Sequence, residues 1–112
     1  MTELGPIATT VLYEDDDVRI WDQRLEPGEA TAAHHHSNAY VLVDVDGDEV
    51  EVRAVEGESN PHGIPAGGLE LPITPQRCFT VPSGSTEIAR NTGKRRYRAI
   101  LVEFKQPEGQ GS

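Results

Sequence analysis

Three consecutive histidines, His34-His35-His36, are the residues of this chain best suited to chemistry. In an extended segment residues two apart share a face, so His34 and His36 point together while His35 points away. Paired imidazoles offer the neutral nitrogen lone pairs that divalent metals take. A solvated polar loop following Ala30-Thr31-Ala32-Ala33 is the competing reading. Tyr40 keeps the parity of His34 and His36, which turns it to the same face if the strand stays regular. Three roles are open to its phenol: metal-bound phenolate, general acid or base, or a cavity-wall group that hydrogen-bonds a neighbour. His62 lies in a loop, as a solvent-exposed histidine or as an extra ligand or proton shuttle at the rim of a site.

Other residue clusters carry less. Cys78 is the single cysteine, so neither an internal disulfide nor a thiolate zinc site can form. Its apolar run, Cys78-Phe79-Thr80-Val81, predicts a buried, inert thiol. Asp15-Asp16-Asp17 and Asp44-x-Asp46-Gly47-Asp48 look calcium-like. The second has its glycine too early for a calcium loop and Val55 where a carboxylate is needed, so turn chemistry explains it better. Ser83 and Ser85 flank Gly84 but form no nucleophile elbow.

The elements that must position these residues read as strands. Asp17–Leu25 alternates, with Val18 and Ile20 on one face and Arg19 and Trp21 on the other. Tyr40–Val45 and Glu49–Val55 flank Asp46-Gly47, which predicts a hairpin turn. Arg77–Val81 and Thr86–Arg90 flank the turn Pro82-Ser83-Gly84. Arg96–Lys105 sets Tyr97, Ala99 and Leu101 opposite Ile100, Val102 and Phe104. Glu56–Gly68, with Pro61, Pro65 and four glycines, is a loop long enough to act as a lid or rim, or to be disordered. Met1–Pro6 and Gln106–Ser112 read as loosely held tails. No window supports a long amphipathic helix, so the fold class is all-β, a sandwich or barrel.

At 112 residues the chain is expected to be one domain, with its core at about 17–105. A net charge of −9, from 19 acidic and 10 basic residues, disfavours phosphate backbones, so no nucleic-acid partner is expected. The basic run Lys94-Arg95-Arg96-Tyr97-Arg98 reads as solvated hairpin residues, with a basic pocket wall as the other reading. No apolar stretch is long enough to span a membrane. No secretory signal is recognised at the N-terminus, and the cytoplasm is the expected location.

Two spaced motifs resemble those of the cupin superfamily. The first cupin motif is Gly, five residues, His-x-His, three or four residues, Glu, six residues, Gly. Gly28, His34, His36, position 40 and Gly47 keep every interval, with Tyr40 in the glutamate's place. The second is Gly, five residues, Pro-x-Gly, two residues, His, three residues, Asn. Pro82, Gly84 and Asn91 fall in register, with Gln76 for the first glycine and Glu87 for the histidine. The resemblance covers roughly Asp17 to Lys105 and implies a double-stranded β-helix (jelly-roll) barrel and a homodimer.

Cupins typically bind iron, manganese, zinc, nickel or copper through three histidines and a glutamate. Here the resemblance leaves two readings open: loss of the metal, or relocation of the carboxylate. In the second, His34, His36 and Glu87 form a two-histidine-one-carboxylate set, which suits iron first. Function then divides into a metal-dependent enzyme acting on a small oxygenated molecule (dioxygenase, isomerase or lyase), a non-catalytic small-molecule-binding module, and a metal-free enzyme in which Tyr40, Glu87 and a histidine do acid–base work.

Overall fold

The structure is a computed structural model and describes residues 4–105. Among the described residues nine strands form: β1 (Thr10–Glu14), β2 (Val18–Leu25), β3 (His34–His35), β4 (Tyr40–Asp46), β5 (Glu49–Ala54), β6 (Leu69–Pro72), β7 (Cys78–Val81), β8 (Thr86–Asn91) and β9 (Tyr97–Phe104). All pairings are antiparallel. One sheet has the order β1-β2-β9-β4-β7 and the other β3-β8-β5-β6. Among the described residues, no helix is long and apolar enough to cross a membrane.

Alternation builds the core. Tyr97, Ala99 and Leu101 are buried on the inner face of β9, as their spacing predicts, with Ile100 and Val102 half-buried on the other. Leu25, Tyr40, Val50 and Ala8 complete the cluster. Ala8 extends the core towards the N-terminus beyond the expected start at residue 17, and β1 adds an exposed edge strand there. Within the tail read as loose, Gly5 N–H donates to Ala33 O at 2.7 Å, which ties down the described part. Met1–Glu3 and Gln106–Ser112 lie outside the described residues.

The turn at Asp46-Gly47 differs from the expected hairpin. β4 and β5 belong to different sheets, so the turn carries the chain from one layer to the other. Gly47 is needed there: its φ is +131°, and a Cβ would lie 3.2 Å from Tyr97 Cα. The β8–β9 connection also changes sheets, so the basic run is no hairpin either. Its arginines form ion pairs, Arg95 with Asp46, Arg96 with Glu26 and Arg98 with Asp22. Of that run only Tyr97 lines the cavity, which removes the basic-wall reading.

Asn91, fully buried, locks this corner. Its Nδ2 donates to Leu25 O (2.9 Å) and Arg95 O (2.8 Å), and its Oδ1 accepts from Gly93 N–H (2.9 Å). Cys78 is exposed rather than buried. It opens an edge strand paired only with β4, and it faces away from the side on which Phe79 meets the cavity.

Candidate metal and ligand site

The site is built where β3 meets β8. His34 pairs directly with Glu87 and His35 with Thr86. Directly opposed residues share a face, so His34 and Glu87 point inward together. His36 follows β3 and is held by two backbone bonds: its N–H donates to Ser85 O (2.9 Å), and its carbonyl accepts from Gly84 N–H (2.8 Å). The Pro82-Ser83-Gly84 turn therefore sets the height of His36. As its parity predicts, His35 turns away, its Nδ1 2.8 Å from Thr86 Oγ1.

His34 and His36 are 2% and 1% exposed. Glu87 Oε1 lies 3.3 Å from His36 Nε2 and 3.9 Å from His34 Nε2. The two imidazoles meet edge to face, with centroids 4.9 Å apart. His34 Nδ1–H donates to Ala32 O at 2.8 Å, which leaves the Nε2 lone pair aimed at the site. His36 Nδ1 is buried without a hydrogen-bond partner. Tyr40 stacks on His36 at 4.4 Å, facing the same cavity.

Charge follows from burial. Desolvation lowers the pKa of His34 below its ordinary 6.5, against the pull of the Ala32 carbonyl, so the ring stays neutral. Burial alone would raise Glu87, but His36 beside it, the Ser85 hydroxyl and His34 outweigh it and hold the carboxyl below the usual range. Burial first, then the charge of Glu87, pushes the Tyr40 phenol far above its ordinary value. The Tyr40 phenol is therefore neutral, a hydrogen-bond donor and not a phenolate.

These donors fit a divalent ion. Metal–nitrogen and metal–oxygen bonds of about 2.0–2.2 Å place neighbouring donors about 3–3.5 Å apart. The separations of 3.3 and 3.9 Å need only a small adjustment, and the ligating atoms of His34, His36 and Glu87 all lie within 4.8 Å of one another.

Behind the donors lies a cavity of about 370 Å³, walled by Leu42, Val50, Val52, Leu71, Phe79 and Val81 among others. Gln23, Thr31 and Tyr97 add polar lining that sequence reasoning did not assign. Their signal is weak, because each comes from a separate strand or loop. The Glu56–Gly68 segment forms part of the rim, where Ile64 and His62 line the cavity. His62 is exposed, its Nε2 3.2 Å from Pro82 O, and Ser59 Oγ–H donates to Gly84 O. Ser85 forms no nucleophile elbow, yet its hydroxyl donates to Glu87 Oε2 at 3.0 Å. Its i, i+2 relation to Glu87 was the available clue.

Comparison with known proteins adds the family. The family described as "Auxin binding protein" matches residues 3–109, nearly the whole chain. The chain belongs to the auxin-binding protein family. Among curated auxin-binding proteins, T85 of Nicotiana tabacum is 28% identical over 101 residues, covering 90% of this chain and 52% of the relative. Auxin-binding protein 1 of Arabidopsis thaliana is 29% identical over 101 residues, covering 90% and 49%. The chain thus spans about half the length of the curated auxin-binding proteins it matches. A cupin domain from Bordetella pertussis Tohama I, 24% identical, superposes with a TM-score of 0.73 over 95% of this chain and 99% of that one. This member of the auxin-binding protein family is therefore a small cupin, a double-stranded β-helix.

Proposed function

We propose that the chain binds a divalent metal through His34, His36 and Glu87 and, with it, a small organic acid that has an apolar body. The observation that carries this reading is the juxtaposition of the three donors with an apolar-walled cavity of about 370 Å³. An anionic oxygen suits the metal, and a ring or branched chain suits the walls. Auxins such as indole-3-acetic acid have this chemistry, and the names of the relatives support them as first probes. The bound ion supplies Lewis acidity towards an anionic or carbonyl oxygen. The protein orients the acid, excludes water with its apolar wall and offers the neutral Tyr40 hydroxyl as a hydrogen-bond donor.

The test is calorimetric titration of indole-3-acetate into metal-loaded and chelator-stripped protein. Saturable binding that requires metal supports the reading. Equal binding by both forms, or by neither, removes it. Leu71→Trp, which fills the cavity, should abolish acid binding while leaving metal content intact.

A second reading is catalysis on the bound acid. The observation favouring it is the Glu87 carboxylate beside His36, with the Tyr40 hydroxyl facing the same cavity to position what is bound there. Mass spectrometry of the acid after prolonged incubation with metal-loaded protein decides it: a new product that disappears in Tyr40→Phe supports an enzyme, and unchanged acid a binding module.

A homodimer belongs to this proposal. β1 is an edge strand with all five residues exposed, among them Val11, Leu12 and Tyr13, and such an edge invites pairing with a second copy. Light scattering should report the mass of two chains, and a one-chain mass would remove the dimer. A cytoplasmic location is also proposed. The exposed, free Cys78 suits a reducing compartment, and fractionation of the source cells checks it.

A further inference from the structure

Glu87 has two carboxylate oxygens, and the structure treats them differently. Oε1 faces both imidazoles, at 3.3 and 3.9 Å from their Nε2 atoms. Oε2 accepts a hydrogen bond from Ser85 Oγ–H at 3.0 Å. Ser85 is 1% exposed, so its hydroxyl is shielded from water. Its backbone carbonyl also accepts the His36 N–H at 2.9 Å. One residue therefore orients the Glu87 carboxylate with its side chain and sets the height of His36 with its main chain.

An unrestrained carboxylate ligates a metal through one oxygen or through both, and the two-oxygen mode takes up an additional coordination position. A hydrogen bond to the second oxygen biases the group towards the one-oxygen mode, because two-oxygen ligation would have to break it inside a buried site. We propose that Ser85 is the positioning residue that makes Glu87 a one-oxygen metal ligand and so keeps a coordination position open for the bound acid. This rests on the metal reading above.

The test uses the full chain and Co²⁺ alone as probe. Wild-type protein should bind one equivalent. Ser85→Ala should bind about tenfold more weakly, as expected for loss of a hydrogen bond to a ligand, and its visible Co²⁺ absorption should shift in position and intensity as Glu87 changes mode. Ser85→Thr, which keeps the hydroxyl, should restore the wild-type spectrum and affinity. A Ser85→Ala protein with wild-type spectrum and affinity overturns the proposal. So does a Ser85→Thr protein that fails as Ser85→Ala does, since the hydroxyl would then not be the cause. Infrared difference spectra of the wild type, with ¹³C-labelled glutamate and with and without Zn²⁺, test the same point without any variant. A wide separation of the Glu87 carboxylate stretches supports one-oxygen ligation, and a narrow one overturns it. If wild-type protein takes up no Co²⁺, the metal reading falls and this proposal with it.

Discussion

His36 Nε2 and Glu87 Oε1 lie 3.3 Å apart, although one residue follows β3 and the other sits inside β8. The carboxylate and the imidazole partner each other, so two of the three candidate donors stand close together. Burying a carboxylate without a partner is costly, and the neighbouring histidines supply that partner until an ion does.

Removal of single donors should abolish or weaken metal binding, and loss of a histidine should also cost stability, because it leaves the buried Glu87 carboxylate with fewer partners. His34→Ala and His36→Ala are each expected to abolish stoichiometric metal. Glu87→Gln keeps the shape of the side chain and should weaken binding roughly 100-fold or more, because it removes the only charged ligand of three. Elemental analysis and chelator competition measure this. A Glu87→Gln protein that retains wild-type affinity would remove the relocated carboxylate.

Tyr40 gives the opposite expectation. Its phenol stays neutral through burial, and its ring stacks on His36 whether or not the hydroxyl is present. Tyr40→Phe should leave metal content unchanged and alter only what the cavity binds. Loss of the ion from this variant would make Tyr40 a ligand.

Acid should destabilise the metal-free protein through His34. The buried ring has a pKa below 6.5 in the folded state, whereas the unfolded chain takes up a proton near that ordinary value. Unfolding therefore binds a proton, and stability falls as pH drops below about 6.5, continuing until the folded-state pKa is reached. Glu87 acts in a separate window: its folded pKa lies below 4.5, so its contribution is lost only under more acidic conditions. Urea midpoints between pH 7.5 and 5.5 should decline in the wild type and decline less in His34→Asn. Parallel curves for the two proteins would count against this assignment.

Gln76 should tolerate glycine unusually well. It is the one described non-glycine residue with positive φ, at +74°, a conformation that costs side-chain-bearing residues about 1–2 kcal/mol. Gln76→Gly should raise unfolding free energy by about 0.5–1 kcal/mol after the entropy of the freer unfolded chain is subtracted. Chemical denaturation checks it, and a loss of stability would mean that contacts of the Gln76 side chain outweigh the strain.

The legibility of this protein in its sequence divides along physical lines. Period-two alternation placed β2, β4, β5, β8 and β9 within a residue or two, because each buries one face. β1 and β6 escaped notice: both are edge strands with mostly exposed residues, which removes the contrast that alternation depends on. Local turn chemistry at Asp46-Gly47 announced a reversal but not its destination, since a tight turn in one sheet and this step between sheets both call for a glycine at positive φ. Cys78 was misplaced because an apolar run does not reveal whether its strand has one neighbour or two. For the site, parity brought His34, His36 and Tyr40 together, and the motif register brought Glu87. The cavity walls were not legible, because they assemble from strands that meet only after the two sheets close.

That closure sets the order of events as the protein acquires its structure. Only β1–β2 and β5–β6 join consecutive strands within one sheet; every other connection steps between layers. Such non-local pairing must overcome loop-closure entropy before contacts repay it, so folding belongs in the slow, millisecond-to-second regime. His34, His36 and Glu87 converge only when β3 has found β8. An ion held there has little to grip in any state that precedes this pairing. It should leave the refolding rate almost unchanged and instead lengthen the lifetime of the finished barrel.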